Sequence, residues 1–188
     1  MAKVTSSTFT SIEDSCCTAF SSVMSVIKPY LELQNGVEPA SPYCRIFIVS
    51  ETPVGMASES TVVDHTTRKT TMCQPYEALV RFSFVGKDKQ SGGSDTTAAN
   101  YAEEFHLKMQ SMLYRQLFSD NGMSILRVSP NRRSQQKRET DIYSVSTIDL
   151  SVAYDKHLSV TFQTIDHVGI DGTLTAANNN TITVSLTI

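Results

Sequence analysis

No stretch of this chain approaches the roughly 20 consecutive apolar residues that a membrane-spanning helix needs. Its opening, MAKVTSSTFTS, lacks the apolar core of a signal peptide. These absences predict a protein that meets no membrane and stays in the compartment where it is made. Positive charge is also scarce, since 16 lysines and arginines against 19 aspartates and glutamates leave a formal charge of -3. Dedicated nucleic-acid binders draw affinity from basic residues that neutralise phosphates, so this balance speaks against that class. The four cysteines, Cys16, Cys17, Cys44 and Cys73, show no C-x-x-C spacing, and His65, His106, His157 and His167 are scattered. Structural zinc needs four ligands converging from closely spaced pairs. No metal and no cofactor are therefore expected, and the thiols read as reduced, small apolar residues.

Signatures of catalysis are missing as well. The chain holds no G-x-S-x-G elbow, no H-E-x-x-H and no G-x-G-x-x-G. The nearest approach to a nucleotide loop is RFSFVGKDKQSGGSDTTAANYAEEF, residues 81–105, which passes from a strand pattern through glycines into an amphipathic helix. A phosphate loop of the Walker type needs G-x-x-x-x-G-K-[ST], because the lysine must reach the phosphates and the hydroxyl must hold magnesium. Here Gly92 and Gly93 precede Ser94 and Asp95, while Lys87 and Lys89 lie before the glycines. An aspartate at the helix start occupies the place of the anion and can satisfy the free amides itself. The loop reads as a turn that caps its own helix. Glu103, Glu104, Asp149 and Asp155 fall on polar faces and read as solvated surface groups, so the chain is read as a non-enzyme.

What is present is alternation and amphipathicity in a chain long enough for one domain with a real core. From Phe9 to about Pro29, Ile12, Cys16, Phe20, Val23 and Ile27 recur at helical spacing behind a Thr10–Glu13 capping box. YCRIFIVS, from Tyr43 to Ser50, reads as a strand, and residues 51–75 as a hairpin or long loop. Tyr76, Ala78, Val80, Phe82 and Phe84 give the next strand one strongly apolar face, opposite a mixed face that includes Arg81. A second long helix carries Ala98, Ala102, Phe105, Met109, Met112, Leu113 and Leu117 on one stripe and stops at Asn121–Gly122. MSILRVS is a short strand. A basic loop, PNRRSQQKRETD, leads to a strand with Ile148, Leu150, Val152 and Tyr154 on one side, and a DKH turn then pairs it with Leu158, Val160 and Phe162 as a hairpin. The expected fold is α+β, a mainly antiparallel sheet packed on two longer helices.

Two segments stand out as candidate interfaces. Arg132, Arg133, Lys137 and Arg138, with Arg127, form the one local concentration of charge. A loop of this kind can present guanidinium forks to an acidic surface. Without interleaved aromatics for stacking on bases, the plainer reading is a solvated loop that Glu139 and Asp141 partly offset, and as an interface it favours a protein partner over nucleic acid. At the C-terminal end, Ile182, Val184, Leu186 and Ile188 alternate with Thr181, Thr183, Ser185 and Thr187 beyond a polar AANNN link. This strand pairs with its own sheet or adds to the edge of a neighbour's.

The order of RFSFVG, the helix AANYAEEFHLKMQSMLYRQLF, NGMSILRVS, the basic segment to Arg138, TIDLSVAYD and QTIDHVGIDG, entered through PYCRIFIVSETPVG, resembles the neck and tail terminator family of tailed bacteriophages. The resemblance spans about residues 42–170. It implies a terminator-like α+β domain over 1–170, with 171–188 as a C-terminal β-arm. It further implies a virion protein assembled in the host cytoplasm, forming a ring of usually six copies at the head-proximal end of the tail. Such a ring stops tail-tube polymerisation, and possibly that of a sheath, and meets a head-completion or connector protein. DNA passes through its lumen without sequence-specific binding. The neighbouring possibility is another neck or tail component, a connector or tube-like subunit.

Overall fold

The computed structural model describes residues 4–9, 11–32, 37–63, 67–87, 98–138, 141–163, 169–175 and 181–187. In chain order the elements are β1 (Val4–Phe9), α1 (Ile12–Val23), β2 (Lys28–Leu31), β3 (Tyr43–Pro53), β4 (Ser58–Val63) and β5 (Thr67–Lys87). Then follow α2 (Ala98–Lys108), α3 (Met112–Ser119), β6 (Met123–Val128), β7 (Arg132–Arg138), β8 (Asp141–Gln163), β9 (Gly169–Thr175) and β10 (Thr181–Thr187). The fold is α+β. The pairings β1–β8, β3–β5, β4–β5, β6–β8, β7–β8 and β9–β10 are antiparallel, and β2 runs parallel with β3. Two compact units emerge, Thr10–Ala57 with Gln74–Lys156, and Met1–Phe9 with Ser58–Cys73 and His157–Ile188. The long strands β5 and β8 contribute to both.

In the larger unit, β3 pairs with β5 from Tyr43↔Val85 to Pro53↔Tyr76. On the far side β8 receives β6 along Leu150–Tyr154 and β7 along Asp141–Thr147. The strand order from edge to edge is therefore β6 and β7, then β8, β5, β3 and β2. Because side chains alternate across a strand, Ile46, Ala78, Val80, Phe82, Phe84, Ile148, Leu150 and Val152 all face one way and are buried. The helices cover them. Ile12, Cys16, Ala19, Phe20 and Val23 of α1, Ala98, Ala102 and Phe105 of α2, and Phe118 of α3 join the same core. Phe82 sits at its centre, with its ring centroid 5.7 Å from Phe20, 5.1 Å from Phe105 and 6.5 Å from Phe118.

Helix α1 is shorter than its apolar periodicity suggests. It ends at Val23, and Lys28–Leu31 form β2 instead of a last turn, so Pro29 lies in an edge strand, where a missing amide proton is tolerated. Ser11 stands at the N-cap without a side-chain cap bond, its hydroxyl donating to Glu13 Oε2 at 2.9 Å, and Thr10 of the expected box lies outside the described residues. The cation at the C-terminal end comes from elsewhere, since Lys108 Nζ donates to Val23 O at 3.0 Å. Along its outer side, Ser15, Thr18, Ser21 and Ser22 each donate to the carbonyl one turn back, at 2.8–3.2 Å.

The single long helix expected over 98–117 is two helices. Turn bonds from Gln110 N to Leu107 O and from Ser111 N to Lys108 O close α2, and Ser111 then takes an extended N-cap conformation for α3. Arg115 Nε secures the corner by donating to Met109 O at 2.7 Å. The break rotates the stripe, leaving Met112 and Leu113 exposed at 81% and 71% while Met109 and Phe118 stay buried. The stop at Asn121–Gly122 is present, with Gly122 at φ 77° in the left-handed region that glycine tolerates. A different constraint acts at Gly86 near the end of β5, where a Cβ would lie 3.0 Å from the backbone nitrogen of Ala98. Gly86→Ala is expected to destabilise the chain by about 1–3 kcal/mol, because the close neighbour is backbone at a helix start, and a urea melt measures it.

In the smaller unit, β4 and the first part of β5 form a hairpin, from Ser58↔Cys73 to Val63↔Arg68, within the 51–75 segment. β1 pairs with the end of β8, from Phe9↔Leu158 to Val4↔Phe162. β8 runs unbroken from Asp141 to Gln163, which corrects the DKH turn and hairpin expected at 155–157. Asp-Lys-His resembles a turn by composition, yet all three residues accept extended backbone when flanking strands supply hydrogen bonds. β10 pairs with β9, from Thr181↔Thr175 to Thr187↔Gly169, so the described part of the C-terminal strand has a partner within its own chain. The Gly92–Gly93 loop and Ile188 lie outside the described residues.

Candidate interaction surface

The helices cover one face of the larger unit's sheet, and alternate residues of β3, β5 and β8, with the consecutive residues 132–136 of the edge strand β7, line a groove of about 750 Å³. Arg45, Arg81, Arg132 and Arg133 contribute to it, with Ser83, Thr147, Ser134 and Gln135 between them and Glu32 at the β2 end. Segment 132–138, read from sequence as a basic loop, is strand β7, paired from Arg132↔Thr147 to Arg138↔Asp141. Its composition, RRSQQKR, hides this because an exposed edge strand needs no apolar residue and charged edges are favoured against aggregation.

Asp149 organises the groove. Expected from sequence to be a solvated group, it is instead buried at 8% exposure. Arg81 grips it from β5 in a fork, Nε to Oδ1 at 2.9 Å and Nη2 to Oδ2 at 3.3 Å, and Arg132 Nη2 donates to Oδ2 from β7. Its own amide donates to Ser129 Oγ at 2.8 Å. Burial pushes the Asp149 carboxyl upward, but the Arg81 hydrogen bond and the charges of Arg81 and Arg132 outweigh it and hold the group below the usual carboxylate value. The hydrogen bond to Asp149 likewise raises Arg81. Both guanidinium groups are thus fixed in direction while keeping unused N–H donors.

The other arginines are less constrained. Arg45 reaches Glu32 at 3.6 Å, and its buried Nε–H finds no acceptor among the described residues. Arg133, largely exposed, lies 3.5 Å from Glu103 of α2. Lys137 and Arg138 belong to the same strand, and Arg127 is exposed on β6. Ile182, Val184 and Leu186 lie on β10, away from this groove in sequence and in pairing. The structure therefore joins Arg132 and Arg133 with Arg45, Arg81 and Asp149, which the sequence reading did not group. The available signal was the charge on the non-apolar face of each strand, but joining those charges required the strand order.

Chemically, guanidinium forks and hydroxyls suit carboxylate or phosphate oxygens. The thiols near the core are poor nucleophiles. Burial, with Cys17 and Glu13 nearby, pushes Cys16 up to about 12. Burial with Asp14 and Glu13 pushes Cys17 to about 11, and burial also raises Cys44 well above its ordinary value. A second polar cluster is structural: Tyr154 Oη and Lys156 Nζ donate to Glu51 at 2.5 and 2.7 Å, and Lys156 lies 4.5 Å from the Tyr76 ring centre. Among the described residues no helix is long and apolar enough to cross a membrane.

Comparison with protein families matches residues 16–178 to the phage neck terminator protein family. The chain belongs to that family. The match takes in α1 from Cys16 onward, both sides of the arginine groove and all the strands that form it. Neck terminator membership makes this a bacteriophage neck protein of a structural family. A search of curated proteins finds no match.

Proposed function

We propose that the chain is a structural virion subunit without catalytic activity. It closes into a ring, of six copies, at the head-proximal end of a phage tail. The ring ends polymerisation of the tail tube, and of a sheath where one is present, and joins the tail to a head-completion or connector protein. DNA crosses its lumen without sequence-specific contacts. The observation that carries this reading is the neck terminator match over residues 16–178. The fold supports it physically: one sheet face is open, its edges are unpaired among the described strands, and its cations are arginines suited to carboxylates on another protein.

On this reading Arg132, Arg133, Lys137 and Arg138 contribute to protein contacts, and the strand holding Ile182, Val184, Leu186 and Ile188 is an arm that docks on a neighbouring subunit or on the tube. Native mass measurement of the purified chain, alone and with tail tubes, tests the assembly directly. A closed oligomer of one size that caps tubes is expected. Open polymers, or attachment to the portal side alone, would instead identify a tube-like or connector subunit. A chain ending at Asn178 is expected to lose efficient joining of heads to tails. Normal joining by that chain removes the arm from the account.

A further inference from the structure

The sheet of the larger unit ends in two chemically opposite edges. At one edge, β7 carries Arg132, Arg133, Lys137 and Arg138 with no carboxylate from 132 to 138, and among the described strands it pairs with β8 alone. At the other, the four-residue β2 pairs with β3 alone. There Glu13 and Asp14, exposed in the first turn of α1, join Glu32 beyond the end of β2 around a notch of about 320 Å³. Leu31, Phe47 and Ile48 form apolar walls, and no lysine or arginine lines it. The basic residue of that strand, Lys28, stands at its opposite end, about 10 Å from Leu31 at ~3.3 Å of rise per residue.

The two edges stand level with each other. Arg132 pairs with Thr147, whose hydroxyl lies 3.5 Å from that of Ser83; Ser83 pairs with Arg45, and Arg45 with Tyr30 of β2. At about 4.8 Å between strands this row spans roughly 19 Å. A contact that placed like edges together would oppose Arg132 and Arg133, or Glu13 and Asp14, to their own kind, while Glu32 is paired with Arg45 of its own chain. A contact of unlike edges brings opposite charges together and repeats in one direction, which gives a closed ring when its rotation closes.

We propose that successive copies of this chain meet head to tail, with the Glu13, Asp14 and Glu32 corner of one copy seated against the β7 edge and arginine groove of the next. The proposal rests on the ring reading above and names its contact. Asp149 presets Arg132 for this role, and Arg133 is held among the described residues by an exposed pair with Glu103, which a neighbour's carboxylate can replace at little cost. A carboxylate entering the groove also meets the Arg45 Nε–H, which lacks an acceptor.

The test uses charge exchange in the full-length chain. Arg133→Glu with Gln135→Glu sets two carboxylates beside Arg132 and lowers the formal charge of 132–138 from +4 to +1, and Glu13→Lys with Asp14→Lys turns the Glu13, Asp14 and Glu32 corner from -3 to +1; all four positions are exposed. At about 0.1 M salt each variant alone is expected to assemble at least tenfold more weakly than the wild type. An equimolar mixture is expected to recover assembly as oligomers that alternate the two variants, visible as an even subunit count by native mass measurement. Thermal melts confirm folding of each chain. Should either double substitution unfold it, Arg133→Glu and Asp14→Lys singly carry the same test.

Variants that assemble as the wild type does, or a mixture that stays dissociated, overturn the head-to-tail contact while leaving the ring reading standing. A wild type that forms open polymers, with the mixture recovering those polymers, removes the ring and keeps the contact. A wild type that remains monomeric both alone and on tail tubes removes both.

Discussion

Phe82→Ala is expected to cost about 3–5 kcal/mol and to lower the unfolding midpoint by about 6–20 °C, as read by circular dichroism or calorimetry. The reason lies in its neighbours. Phe82 is fully buried on β5 and its ring meets Phe20 of α1, Phe105 of α2 and Phe118 of α3, so one side chain ties the sheet to each helix. Removing it leaves a cavity bounded by three other rings that cannot all move inward at once, and the lost contacts add to the lost burial. Met112→Ala supplies the contrast. With 81% of its surface exposed, Met112 is expected to change stability by less than about 0.5 kcal/mol on truncation. A large loss there would show that α2 and α3 form one continuous helix with Met112 in the core.

Asp149→Asn is expected to destabilise the chain by about 1–3 kcal/mol at neutral pH. The amide keeps the shape but cannot balance two guanidinium groups, and it accepts at one atom where the carboxylate accepts at two. The figure is well below that of a fully buried ion pair because the Arg81 and Arg132 side chains are 37% and 58% exposed, and solvent screens them. The pH dependence has a definite sign. Since Asp149 titrates lower in the folded chain than its unfolded value of about 3.9, its contribution is complete above that value and disappears as the pH falls through the folded value. The gap in midpoint between wild type and Asp149→Asn should hold from pH 7 to about 5 and narrow below about 4. A gap that stays constant down to pH 2 would show that the carboxylate charge contributes nothing to β7 docking.

These two residues also show what could and could not be read from sequence. The apolar alternation at 76–84 and 148–154 identifies two strands and their core faces, because a half-buried strand must place its apolar side chains at every second position. The α1 face from Ile12 to Val23 was legible for the same reason at helical spacing. Elements at the margins were not. β7 and β2 are edge strands, one without any apolar residue and one containing proline, and their extended form depends on a neighbouring strand that local sequence does not reveal. The corner at 109–111 contains neither glycine nor proline. It is set by packing and by the Arg115 bond to Met109 O, so periodicity alone runs through it. Of the groove, Arg132 and Arg133 stood out as a charge cluster, whereas Arg45, Arg81 and Asp149 are single charges on three strands whose meeting depends on register.

The hydroxyl bonds of α1 carry one more consequence. Ser15, Thr18, Ser21 and Ser22 donate their hydroxyl protons to their own helix backbone, so these donors are satisfied without a second element. Because no ion pair takes part in these four bonds, their contribution to α1 is expected to be the same at low and at high salt.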